Sequence, residues 1–135
     1  MTALPKERGP LPLFLTRVPA GFPSPGDDFL DKTLDLHELL IDHPAATFFV
    51  RVQGDSMQDA GISSGDILIV DRALKATHKR VVVAVINGEF TVKRLLLRGK
   101  KVFLAPENPA YPLLEVSEQS DFQIWGVVTY VIHPL

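Results

Sequence analysis

The sequence predicts a mostly β protein: a compact antiparallel β-sandwich or barrel-like domain with one short helix and an extended N-terminal arm. From residue 48 onward, short runs rich in Val, Ile, Phe and Leu alternate with turns at regular spacing. This pattern favours antiparallel strands over alternating α/β units. Prolines concentrate at the start of the chain, which indicates the arm. The length of 135 residues and the apolar fraction of 46% suit one core of ordinary size.

The N-terminal segment is predicted to be an arm over residues 1–28, followed by the β domain over residues 29–135. Six of the 11 prolines fall within the first 26 residues, at positions 5, 10, 12, 19, 23 and 25. Proline fixes φ and has no N–H. This segment therefore cannot form the interior of a helix or donate fully to a sheet ladder.

One short helix and seven strands are predicted after the arm. In TLDLHELLIDHP, Asp35 and Glu38 have the spacing of a capping box, the leucines lie on one side, and Pro44 soon ends the pattern. The predicted strands are the apolar runs 48–53, 67–71, 80–86, 89–97, 101–105, 111–116 and 122–132. Asn87 and Gly88 readily adopt the positive φ angles of a type I′ turn, so the third and fourth strands should form a hairpin.

Composition and charge exclude several classes of protein. The net charge of -2 is a poor basis for wrapping a polyphosphate, so direct nucleic-acid binding is not expected. The absence of cysteine excludes disulfides, thiol chemistry and sulfur-rich zinc sites. The first residues do not resemble a signal peptide, and no run of about 18 apolar residues is present. We therefore expect a cytoplasmic protein without a membrane segment.

The stretch GDSMQDAGISSGD, residues 54–66, follows the first predicted strand and has two interpretations. Gly54, Gly61 and Gly65 are typical of turns, and serines are common in loops, so the stretch fits an ordinary surface loop. Alternatively, Ser56 projects its hydroxyl from a tight strand exit as a nucleophile, while neighbouring backbone N–H groups converge on an oxyanion. The second interpretation requires a base elsewhere in the chain.

Lys93 is the candidate base. In EFTVKRLLLRG, period-2 alternation places it on one face with Thr91, Leu95 and Leu97. It is either an ordinary sheet lysine that extends its ammonium to solvent or, with a partner, a base. Burial among apolar side chains lowers a lysine pKa from about 10.4 toward roughly 7–8, and the neutral amine can then accept a serine proton. Ser-Lys pairs are a recognised variant of the serine nucleophile and its base.

The other titratable residues lack a motif that would assign them chemistry. The four histidines are His37, His43, His78 and His133. The acids near the glycine-rich stretch are Asp55, Asp59, Asp66 and Asp71. Aspartate commonly stabilises turns, and the acid spacing of an EF-hand is missing. Neither a metal site nor a cofactor is predicted.

Two long segments, in a fixed order along the chain, resemble segments of a known protein family. GDSMQDAGISSGDILIVD is followed by GEFTVKRLLLR, with Ser56 and Lys93 separated by 37 residues. This pair resembles the self-cleaving peptidase domain of the LexA and UmuD family. AGFPSPGDDF, LDLHELLIDHPAATFFV, LAPENPAY and FQIWGVVTYVIH are also similar to its UmuD members. The resemblance therefore covers nearly the whole chain.

The resemblance implies a LexA-type fold and a Ser-Lys peptidase that cuts its own N-terminal arm. Ser56 would be the nucleophile and Lys93 the general base, with Met57 lining the apolar surroundings. The backbone N–H groups of Asp55 and Ser56 would form the oxyanion hole. The matching bond for cleavage is Ala20-Gly21, and the flanking prolines suit an extended segment presented to the active site.

The resemblance also implies an activator and partners. In this family a RecA filament on single-stranded DNA promotes self-cleavage after DNA damage. The shortened UmuD chain then acts as a homodimer with an error-prone, UmuC-like Y-family DNA polymerase in SOS translesion synthesis and mutagenesis. Only about 20 residues precede the matching bond here, whereas LexA-like repressors carry a DNA-binding domain ahead of the peptidase. Ala20 replaces the cysteine of a well-known UmuD, but LexA-type sites accept alanine.

Two other functions stay open at this point. The chain fits a non-catalytic dimeric β module that regulates a polymerase and retains a vestigial Ser-Lys pair. A further alternative is a peptidase that cuts other proteins, since signal peptidases also use a Ser-Lys pair. The missing membrane anchor counts against a signal peptidase.

Overall fold

Two separate β-sheets contain most of the regular structure of the described residues. The structure, a computed structural model, describes residues 8–14, 18–21 and 30–135. The chain divides into two units, Met1–Asp42 and His43–Leu135, each with its own sheet. The predicted boundary between residues 28 and 29 lies outside the described residues.

A two-stranded antiparallel sheet forms in the N-terminal unit. β1 (Leu11–Phe14) pairs with β2 (Leu30–Leu34), and Pro12 lies opposite Thr33. A strand with one neighbour has a free side, so a residue without an N–H can be accommodated there. Neither strand is among the predicted runs, because Pro12 and the charged residues of β2 interrupt the apolar alternation.

The predicted short helix is α1 (Leu36–Leu40). Asp35 caps its N-terminus, because the carboxylate accepts hydrogen bonds from the backbone N–H groups of His37 at 3.0 Å and Glu38 at 3.5 Å. These bonds satisfy two N–H groups that have no partner within the first turn. Among the described residues, no helix is long and apolar enough to span a membrane.

A seven-stranded antiparallel sheet forms the C-terminal unit. Its strands are β3 (Thr47–Arg51), β4 (Ile67–Asp71), β5 (Val81–Ile86), β6 (Glu89–Arg98), β7 (Lys101–Ala105), β8 (Leu114–Val116) and β9 (Phe122–Ile132). They lie in the order β3-β4-β9-β5-β6-β7-β8, and all neighbouring pairs are antiparallel. Short 3₁₀ turns occur at Pro44–Ala46 and Gln58–Ala60. The mostly β, antiparallel prediction is confirmed.

The strand boundaries follow the local turn chemistry. Asn87 and Gly88 have φ angles of 51° and 83° and join β5 to β6, as predicted for a hairpin. β8 begins at Leu114, later than the predicted start at residue 111. Pro112 explains the difference, because it has no N–H to donate to a ladder.

Apolar side chains pack in two clusters of the C-terminal unit, because neighbouring residues of a strand point to opposite faces. The first cluster of buried residues consists of Met57, Ile62, Leu68, Val70 and Val83. The second consists of Val82, Ala84, Leu95, Leu104 and Val127. Consecutive residues of β5 thus belong to different clusters. Because both faces of the central strands are buried, their sequences are continuous apolar runs without polar alternation.

Gly126 of β9 packs directly against β4. A Cβ at this position would lie 2.5 Å from Cγ1 of Val70. Val70 is fully buried, so we expect Gly126→Ala to lower the free energy of unfolding by about 1–3 kcal/mol, measured by urea titration. Val70→Ala removes the clashing atom. The double variant should therefore lose less unfolding free energy than the two single variants lose in total. Strict additivity would contradict this contact.

Two buried aspartates, one immediately before β4 and one at its end, pair with histidines from distant segments. The carboxylate of Asp66 lies 2.6 Å from Nδ1 of His133, and the carboxylate of Asp71 lies 2.6 Å from Nδ1 of His43. Both acids also accept backbone N–H groups nearby, in agreement with the predicted turn roles. The histidine pairs were not predicted, because the partners are far apart in sequence.

The ionised form of Asp66 should stabilise the fold. The Ser63 N–H lowers the pKa of the Asp66 carboxyl below its ordinary value of 3.8, and the His133 hydrogen bond also lowers it, against the opposing effect of burial. A lowered folded-state pKa contributes stability above the unfolded pKa, and this stability is lost as the pH falls through the folded pKa. We expect Asp66→Asn to lower the urea midpoint at neutral pH, with the difference shrinking below about pH 4.

Asp121→Asn is the matched control for this prediction, because Asp121 is exposed. Its urea midpoint should stay close to that of the unchanged protein at every pH. An equal decrease of the urea midpoint in the two variants would show that the hydrogen bonds of Asp66 add no stability.

Candidate active site

Ser56 lies in the turn that leaves β3. The chain turns at Gly54, whose φ of 94° is in the left-handed region that favours glycine. Met57 follows Ser56, is 2% exposed and packs in the first apolar cluster. Because Met57 is anchored in the core, the turn is fixed and the Ser56 side chain is held half-buried beside it.

Lys93 reaches Ser56 from the middle of β6. Its Nζ lies 3.0 Å from Oγ of Ser56, 2.6 Å from Oγ1 of Thr91 and 3.0 Å from the carbonyl oxygen of Val92. The contact with Thr91 agrees with the predicted alternation, which places these two side chains on one face. The structure therefore brings Ser56 and Lys93, 37 positions apart, to hydrogen-bond distance.

The three contacts of Nζ suit both protonation states of Lys93. The charged ammonium has three N–H donors, one for each oxygen. The neutral amine has two donors, for Thr91 and the Val92 carbonyl, and a lone pair that accepts the Ser56 O–H. Loss of one proton from Lys93 therefore reverses the hydrogen bond with Ser56 and requires no change in the heavy-atom positions.

Burial lowers the pKa of Lys93 below its ordinary value of 10.5. The charged form loses hydration, and within the described ranges no carboxylate forms a salt bridge with it in compensation. The neutral amine is therefore populated at a lower pH than for a surface lysine.

A cleft of about 590 Å³ is lined by both Ser56 and Lys93. Residues 49–54, at the end of β3 and beyond it, and residues 90–93 of β6 also line the cleft. Trp125 adds an apolar surface, with its ring centroid 4.2 Å from that of Phe48. No histidine lines this cleft in the part of the chain that the structure describes. Among the described residues that line the cleft, Lys93 is the basic side chain that contacts the Ser56 hydroxyl.

β3 is an edge strand of the seven-stranded sheet. Within the described residues, its hydrogen-bonded neighbour in the sheet is β4 alone. An edge strand has N–H and C=O groups that no other strand occupies, and an extended peptide can pair with them. Because the end of β3 also lines the cleft, a peptide bound along this strand would pass close to Ser56.

The backbone N–H groups of Asp55 and Ser56, predicted to form an oxyanion hole, are unused donors. Neither donates a hydrogen bond to another residue in the described part of the chain. Both belong to the turn that carries the Ser56 hydroxyl. Unused donors beside a serine hydroxyl are the feature that oxyanion stabilisation requires.

The predicted cleavage bond, Ala20-Gly21, lies in the N-terminal unit. Both residues are exposed, and the chain bends at this point. The sequence predicts an extended segment here, but Pro19 has no N–H for a ladder and Gly21 has no side chain to restrict the backbone. The neighbouring residues 15–17 and 22–29 lie outside the described residues, and so do Pro23 and Pro25.

The structure adds residues that the sequence patterns did not assign to the site. Thr91 accepts a hydrogen bond from Lys93, and its position two residues earlier on the same strand face is a usable sequence signal. The segment 106–111, between β7 and β8, contacts the Ser56 turn through Glu107 and Asn108. This contact joins distant parts of the chain, and its only local signal is the Asn-Pro turn in LAPENPAY.

Comparisons with known proteins identify the family. The family model described as Peptidase S24-like matches residues 12–129. Protein MucA of Salmonella typhimurium is 47% identical over 128 residues, which cover 93% of this chain and 87% of MucA. Protein SamA of the same species is 52% identical over 122 residues, covering 90% and 84%. The LexA repressor of Acidithiobacillus ferrooxidans is 44% identical over 126 residues, covering 91% of this chain and 60% of the repressor.

These matches confirm the resemblance to the LexA and UmuD family. The matched region contains both Ser56 and Lys93 and extends through most of the chain. The chain belongs to the Peptidase S24-like family, a membership that implies serine-type peptidase activity.

Proposed function

We propose that the protein is a Ser-Lys peptidase that removes its own N-terminal arm at Ala20-Gly21. Ser56 is the nucleophile and Lys93 is the general base. The observation that carries the proposal is the 3.0 Å distance between Nζ of Lys93 and Oγ of Ser56. A general base must lie within hydrogen-bond reach of the proton it accepts. The lowered pKa of Lys93 supports this role.

The reaction proceeds through an ester intermediate. Neutral Lys93 accepts the Ser56 hydroxyl proton as Oγ attacks the carbonyl carbon of Ala20, and the N–H groups of Asp55 and Ser56 stabilise the oxyanion. The ammonium then donates that proton to the departing amine of Gly21, leaving an ester between Ala20 and Ser56. Lys93 next accepts a proton from water, the hydroxide attacks the ester, and the proton passes to Oγ of Ser56.

Covalent attachment of the arm supports a self-directed activity. A tethered bond has a high effective concentration and a restricted orientation at the cleft, so a weakly activated serine can cut it. An external peptide lacks this advantage. Since the arm contains one Ala-Gly bond, at positions 20 and 21, the cut acts as a one-time switch.

The proposal is tested by incubating purified protein at neutral pH with and without RecA filaments on single-stranded DNA, followed by intact-mass measurement. We expect conversion to residues 21–135, faster with filaments than without them. If filaments leave the rate unchanged while alkaline pH still produces this cut, the activator is wrong and the peptidase assignment stands. A chain that stays intact both with filaments at neutral pH and without them at alkaline pH overturns the peptidase assignment.

We further propose that the cleaved product acts in the cytoplasm as a homodimer with a UmuC-like Y-family DNA polymerase, in SOS translesion synthesis and mutagenesis. The similarity to MucA and SamA over most of the chain supports this function. Light scattering of the cleaved product should give the mass of a dimer, and the product should co-purify with such a polymerase. A monomer that fails to bind the polymerase would contradict this function.

A further inference from the structure

The segment 106–111 holds the turn that carries Ser56 through backbone hydrogen bonds. The N–H of Glu107 donates to the carbonyl oxygen of Ser56 at 2.8 Å, and the N–H of Asp59 donates to the carbonyl oxygen of Glu107 at 2.8 Å. The Glu107 carboxylate accepts a hydrogen bond from Nε of Arg94, next to Lys93 on β6. One short segment therefore connects the strand of the base to the turn of the nucleophile.

Asn108 holds the peptide unit between Asp55 and Ser56. Its Nδ2 donates to the carbonyl oxygen of Asp55 at 2.9 Å, and its Oδ1 accepts the N–H of Ala110 at 3.0 Å. These two partners fix which end of the amide is the donor. In a planar trans peptide, the C=O of Asp55 and the N–H of Ser56 point in opposite directions. The N–H of Gln58 donates to the same carbonyl at 3.2 Å. Asn108 and this second donor together set the direction of the unused Ser56 N–H.

Tyr111 holds the side chain of Asp55. Its hydroxyl donates to Oδ1 of Asp55 at 2.5 Å, and this hydrogen bond raises the pKa of Tyr111 above its ordinary value. The Asp55 carboxylate is the negative charge nearest in sequence to the unused N–H groups. A carboxylate turned toward those groups would repel a developing oxyanion. The bond with Tyr111 directs it instead toward segment 106–111.

We propose that Asn108 and Tyr111 are positioning residues that orient the Asp55-Ser56 peptide for oxyanion stabilisation. They act through the backbone of the turn and the carboxylate of Asp55 and do not touch the reacting atoms. This inference rests on the proposed self-cleavage. It adds that the segment between β7 and β8 sets the rate of the chemical step.

The test is the first-order rate of self-cleavage of the full chain, measured by intact mass over a range of pH. Asn108→Asp keeps the shape and the acceptor for Ala110, but replaces the donor to Asp55 with an oxygen. Loss of a whole oxyanion donor costs about 10²–10³ in rate, so misdirection of one should lower the plateau rate by about tenfold to a hundredfold. Tyr111→Phe should lower it by a smaller factor.

Three readouts distinguish positioning from a general structural role. The pH midpoint should stay unchanged in Asn108→Ala and Tyr111→Phe, since neither change adds a charge near Lys93. The urea midpoint should change little. Asn108→Ala, which adds no charge, should also lower the plateau rate. The matched controls Asn87→Asp and Tyr130→Phe, outside the cleft and segment 106–111, should cleave at the unchanged rate.

The outcomes separate this inference from the proposed function. An unchanged protein that never cleaves overturns both. An unchanged protein that cleaves, together with position-108 and position-111 variants that cleave equally fast, overturns the positioning role alone. Slower cleavage with a shifted pH midpoint or a matching loss of stability also overturns it, because the segment would then act by general support of the fold.

Discussion

Ser56→Ala should leave the chain intact under conditions in which the unchanged protein converts to residues 21–135. The variant keeps the fold, because the change removes one half-buried oxygen and leaves the Met57 anchor in place. We expect the first-order rate to fall by at least about a thousandfold, since loss of a serine nucleophile costs up to about 10⁶ in other serine peptidases. Intact-mass measurement over several days at alkaline pH checks this result.

Ser63→Ala is the matched control for the nucleophile. Ser63 lies in the same glycine-rich stretch, but it does not line the cleft. Its variant should cleave at the unchanged rate. Cleavage of Ser56→Ala at the rate of the unchanged protein would assign the cut to a contaminating protease and remove Ser56 from the reaction.

Lys93→Met should lower the rate by at least about a hundredfold at every pH, because general-base catalysis typically contributes 10²–10⁴. Methionine has a similar length and remains compatible with the cleft, but it cannot accept a proton. Lys93→Arg should be equally inactive, since a guanidinium stays protonated throughout the working range. Lys101→Arg, an exposed lysine at the start of β7, should cleave at the unchanged rate.

The unchanged protein should show a pH profile that the Lys93 variants lack. Burial lowers the Lys93 pKa, and only the neutral amine accepts the Ser56 proton. The rate should therefore rise as the pH increases through this lowered pKa and then level off. A rate that falls with increasing pH, or an identical profile in Lys93→Met, would show that another group is the base.

Most of the C-terminal sheet was predictable from local patterns. The β7 and β9 runs agree with their predicted bounds, because each is a strongly apolar segment between polar turns. The β1–β2 pair was not predictable in the same way. Its proline and charges weaken the alternation, and its stability depends on a partner strand that local patterns do not identify.

The sequence predicted Ser56 and Lys93 as the central residues of the candidate site, because each lies in a recognisable local motif. Ser56 and Lys93 came from separate segments whose order and spacing resemble a known family. The support from segment 106–111 was not predictable, because it depends on hydrogen bonds between distant residues. The resemblance implied Met57 beside the site, but the contribution of Trp125 to the cleft was not predictable, because Trp125 comes from the distant strand β9.

The most direct measurement is the mass and N-terminal residue of whatever forms when the purified protein is shifted to alkaline pH without another protease. A Ser56 hydroxyl activated by neutral Lys93 predicts one product, residues 21–135 beginning with Gly21, at a rate that rises through the Lys93 titration. A chain that stays whole at every pH, or a cut at another bond, would contradict it.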